Sequence, residues 1–238
     1  MTLPSARGGA ADPADDRRHG RRQAQRRRLL RLLLAGPALG LPGLGLLGAC
    51  TNLVPGQTPP PTLYGLTPKS TFREDLPPVD WQLILEAPVA NAGLNTTRIA
   101  LQRDPMRLEY YARSSWTDRA PLMIQTLMIE SFENSGKIIS IGRESVGLRA
   151  DFVLKSELRE FQAEYFDGGP PKARVRINLK LVRMPQREII GSESFEAVVE
   201  ASTDSLDAVI VAFDEALGKV LRRVVEWTIS AGAVAYLR

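Results

Sequence analysis

Two side chains bound the chemistry open to this chain. Cys50 is its only thiol and His19 its only imidazole. If the residues before Cys50 are removed, the rest of the chain has no histidine and no thiol beyond its first residue. Such a chain cannot build a cysteine nucleophile, a Ser-His-Asp triad, or a metal centre that relies on His or Cys. Ser-Lys, carboxylate-only and substrate-assisted chemistries survive that exclusion, but no residue pattern points to them. Ser145 stands between Gly142 and Gly147, without the spacing of a nucleophile elbow. Gly40-Leu41-Pro42-Gly43-Leu44-Gly45 has the look of a phosphate loop but no strand before it. Acidic residues are numerous, yet no pair stands out as a general acid and base. Neither a catalytic residue nor a metal site is expected, and no cofactor. Tyr110, Tyr111 and Trp116 cluster together. They read either as core packing or as a contact for lipid or a protein partner.

The surroundings of Cys50 supply its chemistry. A basic cluster around Arg26-Arg27-Arg28 precedes an apolar, small-residue run from Leu32 to Ala49. Charged start, apolar middle and small-residue end are the three parts of a secretory signal peptide. Leu47-Gly48-Ala49-Cys50 resembles the bacterial lipobox. That resemblance implies cleavage between Ala49 and Cys50, with lipid carried on the Cys50 sulfur. Arg26-Arg27-Arg28-Leu29-Leu30-Arg31 also resembles a twin-arginine export signal, with Gln25 where serine often stands. A general secretory signal with an Arg-rich start fits as well, and both routes stay open. The run from Leu32 to Leu47 is short for a membrane span, which takes about 20 residues.

The whole chain has formal charge +4. Residues 1–49 hold nine arginines and three aspartates, a net of +6, so the remainder lies near −2. The basic character belongs to the leader, and no nucleic-acid partner is expected. From Cys50 to Arg238 there are 189 residues, enough for one domain with a full core. Residues 50–63 include Pro55, Pro59, Pro60 and Pro61 and read as an extended tether. A dozen such residues reach roughly 35 Å. The expected division is leader 1–49, lipidated tether 50–63, domain 64–230 and tail 231–238.

Within the domain, Trp81–Leu85, Thr97–Leu101 and Arg107–Ala112 read as strands. A helix follows, with Pro121 in its first turn, Thr117 or Asp118 as its cap, and Gly136 free to take a left-handed turn at its end. Ile138–Ile141 is a short strand. From Asp151 to Tyr165 the alternation slips phase: Phe152, Leu154 and Leu158 share one parity, while Phe161, Ala163 and Tyr165 share the other. A bulge near Arg159 or Glu160 keeps all six on one side. The next run alternates cleanly through Ala173, Val175, Ile177, Leu179 and Leu181. Pairing the two puts Glu160 and Glu164 across from Arg174 and Arg176 as a solvated face. A strand Glu188–Val199 completes a meander. The last helix starts at Asp204 and buries a stripe from Leu206 through Val209, Phe213, Leu217, Val220 and Val224 to Trp227. The expected fold is α/β, of α+β character: a mixed, mostly antiparallel sheet with two main helices.

Several stretches together resemble one family. They are Leu47 to Cys50; Tyr64-Gly65-Leu66-Thr67-Pro68; Gly93 to Ala100; Leu108 to Ala112 with Trp116; Asp118 to Pro121; Leu158 to Ala163; and the final helix through Val225-Glu226-Trp227. In order and spacing the chain resembles the ABC-type transport auxiliary lipoproteins, which accompany lipid-transport systems with mammalian-cell-entry domains in Gram-negative bacteria. The resemblance implies a small α/β domain without catalytic residues, tethered by lipid. It also implies a periplasmic transporter subunit as partner, and self-association is compatible with it. Thr51 after the cysteine points to the periplasmic face of the outer membrane. A lipoprotein that regulates or activates a cell-wall enzyme is the alternative, and an enzyme acting on lipid or wall polymer is a more distant one. The long Arg-rich leader departs from the family pattern.

Overall fold

A computed structural model describes residues 60–144 and 149–237. Arg26, Arg27, Ala49, Cys50 and Ser145 lie outside the described residues, as does the tether up to residue 59. The elements are β1 (Thr62–Tyr64), β2 (Val79–Leu85), β3 (Val89–Ala90), β4 (Arg98–Asp104), β5 (Arg107–Trp116), α1 (Ala120–Ser135), β6 (Ile138–Arg143), β7 (Phe152–Glu164), β8 (Lys172–Arg183), β9 (Glu188–Glu200) and α2 (Leu206–Tyr236).

The nine strands among the described residues form one sheet organised by β7. One side of β7 pairs antiparallel with β8 along its whole length, and β8 pairs antiparallel with β9. The other side of β7 receives three strands in turn, all parallel: β2 at Phe152–Leu154, β3 at Glu157–Leu158 and β4 at Gln162–Glu164. Beyond these lie β6 on β2, then β5 on β4 and β1 on β5. The two long ladders make the sheet mostly antiparallel when counted by paired residues, while the shorter pairings are largely parallel.

The phase slip in β7 is a bulge between Leu158 and Glu160. It keeps Phe152, Leu154, Leu158, Phe161 and Ala163 buried on the helix side. Tyr165, the sixth residue of that set, lies just past the strand and is half-buried. All five apolar residues of the clean β8 alternation are buried. Trp116, Phe161 and Phe213 meet there with ring centroids 5.0–5.3 Å apart, joining β5, β7 and α2. Rings at such distances add about 0.5–1.5 kcal/mol per pair beyond their buried area.

Both helix caps differ from expectation. Arg119 occupies the cap of α1 without a side-chain bond. Thr117 instead extends strand pairing, its N–H donating to the Tyr64 carbonyl at 2.9 Å. Asp118 accepts from the adjacent Arg119 N–H at 2.6 Å. Pro121 in the first turn removes one donor that would otherwise go unpaired. At the far end Gly136 takes the left-handed conformation, φ 59°. For α2 the cap is Ser205, whose hydroxyl accepts from the Ala208 N–H at 3.3 Å. Asp204 lies one residue earlier and places its carboxylate by Tyr165.

The apolar stripe of α2 packs over β8 and β9. Leu206 and Trp227, at its ends, are half-buried, and the residues between are buried. The helix continues through Tyr236, across the stretch expected as a tail, because Ile229, Gly232 and Ala235 prolong its buried face. Thr62 and Leu63, expected in the tether, pair with β5.

Candidate functional site

The chain enters the domain along a strap, residues 64–73, pinned to both helices. Tyr64 donates its hydroxyl to Asp207 Oδ1 at 2.9 Å. Thr67 donates its N–H to Asp214 Oδ1 at 2.6 Å, and its hydroxyl lies 2.9 Å from both oxygens of that carboxylate. Arg73 donates its N–H to Glu226 Oε1 at 3.0 Å. The three acceptors lie along α2 over a length of about 28 Å. On α1, Ser131 Oγ accepts from the Lys69 N–H at 2.9 Å, and Asn134 Nδ2 donates to the Lys69 carbonyl at 3.2 Å. Leu66 and Leu76 are buried in the core at either end of this stretch. The Tyr64–Pro68 motif thus fastens the incoming chain to the helix layer.

The aromatic cluster divides. Trp116 is 1% exposed and packs in the core, so it is withdrawn from the partner-contact set: a buried ring has no surface to offer. Tyr110 is half-buried, stacked under the Arg98 guanidinium at 3.6 Å and donating its hydroxyl to the Gly93 carbonyl at 3.1 Å. Tyr111 shares a 2.8 Å hydroxyl–hydroxyl hydrogen bond with Tyr165. Burial, then that bond, raises the Tyr111 phenol well above its ordinary range. Burial also raises Tyr165, and the Asp204 carboxylate adds to the effect. These contacts turn both tyrosines inward.

The predicted charge pairs are present on the sheet face away from the helices. Arg176 reaches Glu160 at 2.6 Å. Arg174 reaches Glu164 at 2.7 Å and also bonds Glu196 on β9. Gln162 donates to Glu160 at 2.7 Å and to Glu164 at 3.2 Å. The expectation of a solvated face is corrected for Glu164, which is buried, as is Gln162 between the two glutamates. Each has polar partners, as a buried polar group requires.

A second apolar cluster, Ile84, Val153 and Val182 with Ala150 and Met184 against it, lies apart from the main core. It lines a groove of about 590 Å³ whose walls include Lys155, Lys180, Arg187, Glu86 and Glu144. This groove is not among the features expected from the sequence. Its signal is the set of unbroken apolar runs Leu83-Ile84-Leu85, Phe152-Val153-Leu154 and Leu181-Val182, which bury both faces of their strands.

Among the described residues no group of three His, Cys, Asp or Glu side chains is placed to hold a metal ion. Among them, too, no helix is long and apolar enough to cross a membrane.

A sheet covered on one face by two helices, with the entering strand strapped to those helices, defines an α/β domain held at its N-terminal side. The chain belongs to the ABC-type transport auxiliary lipoprotein component family, which matches residues 64–225. The crystal structure of protein XCC0632 from Xanthomonas campestris is similar, with TM-score 0.71 and 29% identity, covering 74% of this chain and 99% of that one. A second crystal structure, of an uncharacterized protein, shares the fold at TM-score 0.52 and 12% identity, covering 75% of this chain and 99% of the other. Protein bll6063 of Bradyrhizobium diazoefficiens is 24% identical over 121 residues, which is 51% of this chain. The match spans about a third, 32%, of that relative's length.

Proposed function

We propose that this chain is a lipid-anchored accessory of an ABC-type transporter of the mammalian-cell-entry kind, helping lipid pass between the inner and outer membranes. Family membership over residues 64–225 is the observation that carries the reading. In this account Cys50 bears the acyl chains, and the tether and strap hang the domain from the periplasmic face of the outer membrane. One acyl chain binds a membrane marginally, at about 0.8 kcal/mol per buried methylene, and two or three hold it firmly. The domain docks a periplasmic subunit, catalyses no reaction, and leaves ATP hydrolysis to another subunit. The absence of histidine after residue 19 supports the non-enzymatic part.

Affinity purification of the full chain from its own membranes tests the reading. Recovery of a permease, an ATPase and a mammalian-cell-entry subunit is expected. A cell-wall synthase without transporter subunits would replace it with the regulatory alternative.

A further inference from the structure

The groove opposite the helices is built in register. Ile84 on β2 stands beside Val153 on β7, Val153 beside Val182 on β8, and Val182 beside Ile189 on β9. One apolar side chain from each of four neighbouring strands makes a row about 14 Å long. The solvent face of such a sheet is ordinarily polar. Ile84, Val153 and Val182 form its floor, each under 10% exposed, and Ile189, 57% exposed, ends it. The volume of this open groove, about 590 Å³, falls within the range of small-molecule sites, about 300–1,000 Å³.

Beside the row, Lys155 and Lys180 are direct cross-strand partners. Like charges placed so are destabilising. Glu86 offsets Lys155, at 2.6 and 2.8 Å. Among the described residues neither Lys180 nor Arg187 forms a salt bridge. Arg187 also holds a left-handed backbone, φ 59°, unusual for a residue other than glycine. Glu144 is the remaining acid on the wall. With Glu86 paired to Lys155, the mouth presents Lys180 and Arg187 against the single acid Glu144, a net positive rim over an apolar floor.

We propose that this groove seats one anionic phospholipid, its acyl chain along Ile84, Val153, Val182 and Ile189 and its phosphate against Lys180 and Arg187. Charge complementarity selects the occupant. An added peptide strand would need a free sheet edge, whereas this row crosses the strands. The inference deepens the transport reading and rests on it for the source of the lipid.

The test uses the full chain with Cys50→Ala, which keeps its own acyl chains out of the groove. Native mass spectrometry would follow lysophosphatidylglycerol below its aggregation concentration, with lysophosphatidylcholine and inorganic phosphate as separate arms. One lysophosphatidylglycerol per chain is expected, with lysophosphatidylcholine about tenfold weaker and phosphate alone not retained. Lys180→Glu and Ile189→Asp, both at exposed positions, should each weaken binding about tenfold, equal to about 1.4 kcal/mol, with circular dichroism unchanged. No binding, equal binding of the two lysolipids, unaltered binding by either variant, or phosphate retained as well as lipid would overturn the proposal. Transporter co-purification is read separately. Its persistence without lipid binding sinks the groove alone, and its loss with lipid bound sinks the transporter reading alone.

Discussion

Thr67 and Asp214, 147 positions apart, are joined by both polar hydrogens of the threonine: backbone N–H at 2.6 Å and hydroxyl at 2.9 Å. The entering strap is thereby fixed to the N-terminal third of α2. Asp214→Ala leaves the Thr67 N–H without its acceptor. Water reaches this site, so the expected cost is about 1–2 kcal/mol, read as a lowered thermal midpoint. Limited proteolysis should also cut faster within residues 64–73. An unchanged cleavage rate would mean that the bonds at Tyr64, Lys69 and Arg73, with the buried Leu66 and Leu76, hold the strap without Asp214.

Gly232 tests the closeness of α2 to the sheet. A Cβ added there would lie 2.4 Å from Trp81 Cζ2 and 3.0 Å from two further ring atoms. Alanine favours a helix over glycine by about 1 kcal/mol, but overpacking against a buried ring costs about 1–3 kcal/mol. Gly232→Ala should therefore destabilise in denaturant titration. A gain in stability would show that the helix can lift from Trp81 at little cost.

The tyrosine pair predicts an alkaline limb. Tyr111 and Tyr165 both have phenols raised in the folded state. Their contribution is complete below the unfolded value of about 10 and is lost as pH rises from there toward the folded values, because the unfolded chain ionises first. Tyr111→Phe should flatten the fall in stability above about pH 10. Equal slopes for the two proteins would place the effect elsewhere.

Much of this fold is legible in sequence because its long strands bury one face. The β7 bulge follows from Leu158 and Phe161 having opposite parity, and Arg174 meets Glu164 as the alternation requires. What stays hidden depends on distant chain. β3 is two residues long and exists because β7 offers an edge at Glu157. The helix caps shift because Asp118 and Asp204 are drawn to other partners. Trp116 reads as core packing more readily than as a surface contact, but its partner is visible only in the fold, where Phe213, almost a hundred residues later, covers it. The groove unites Ile84, Val153, Val182 and Ile189, which only the parallel β2–β7 pairing and the β7–β9 meander bring side by side.

The account stands or falls on Cys50. Intact-mass analysis of the protein extracted from its native membrane, with hydroxylamine-resistant and base-labile lipid measured on the N-terminal peptide, addresses it directly. The account predicts a chain that begins at Cys50 and carries a diacylglycerol adduct, and a Cys50→Ala variant that lacks it. A membrane-derived chain that retains residues 1–49 and carries no acyl mass would contradict it.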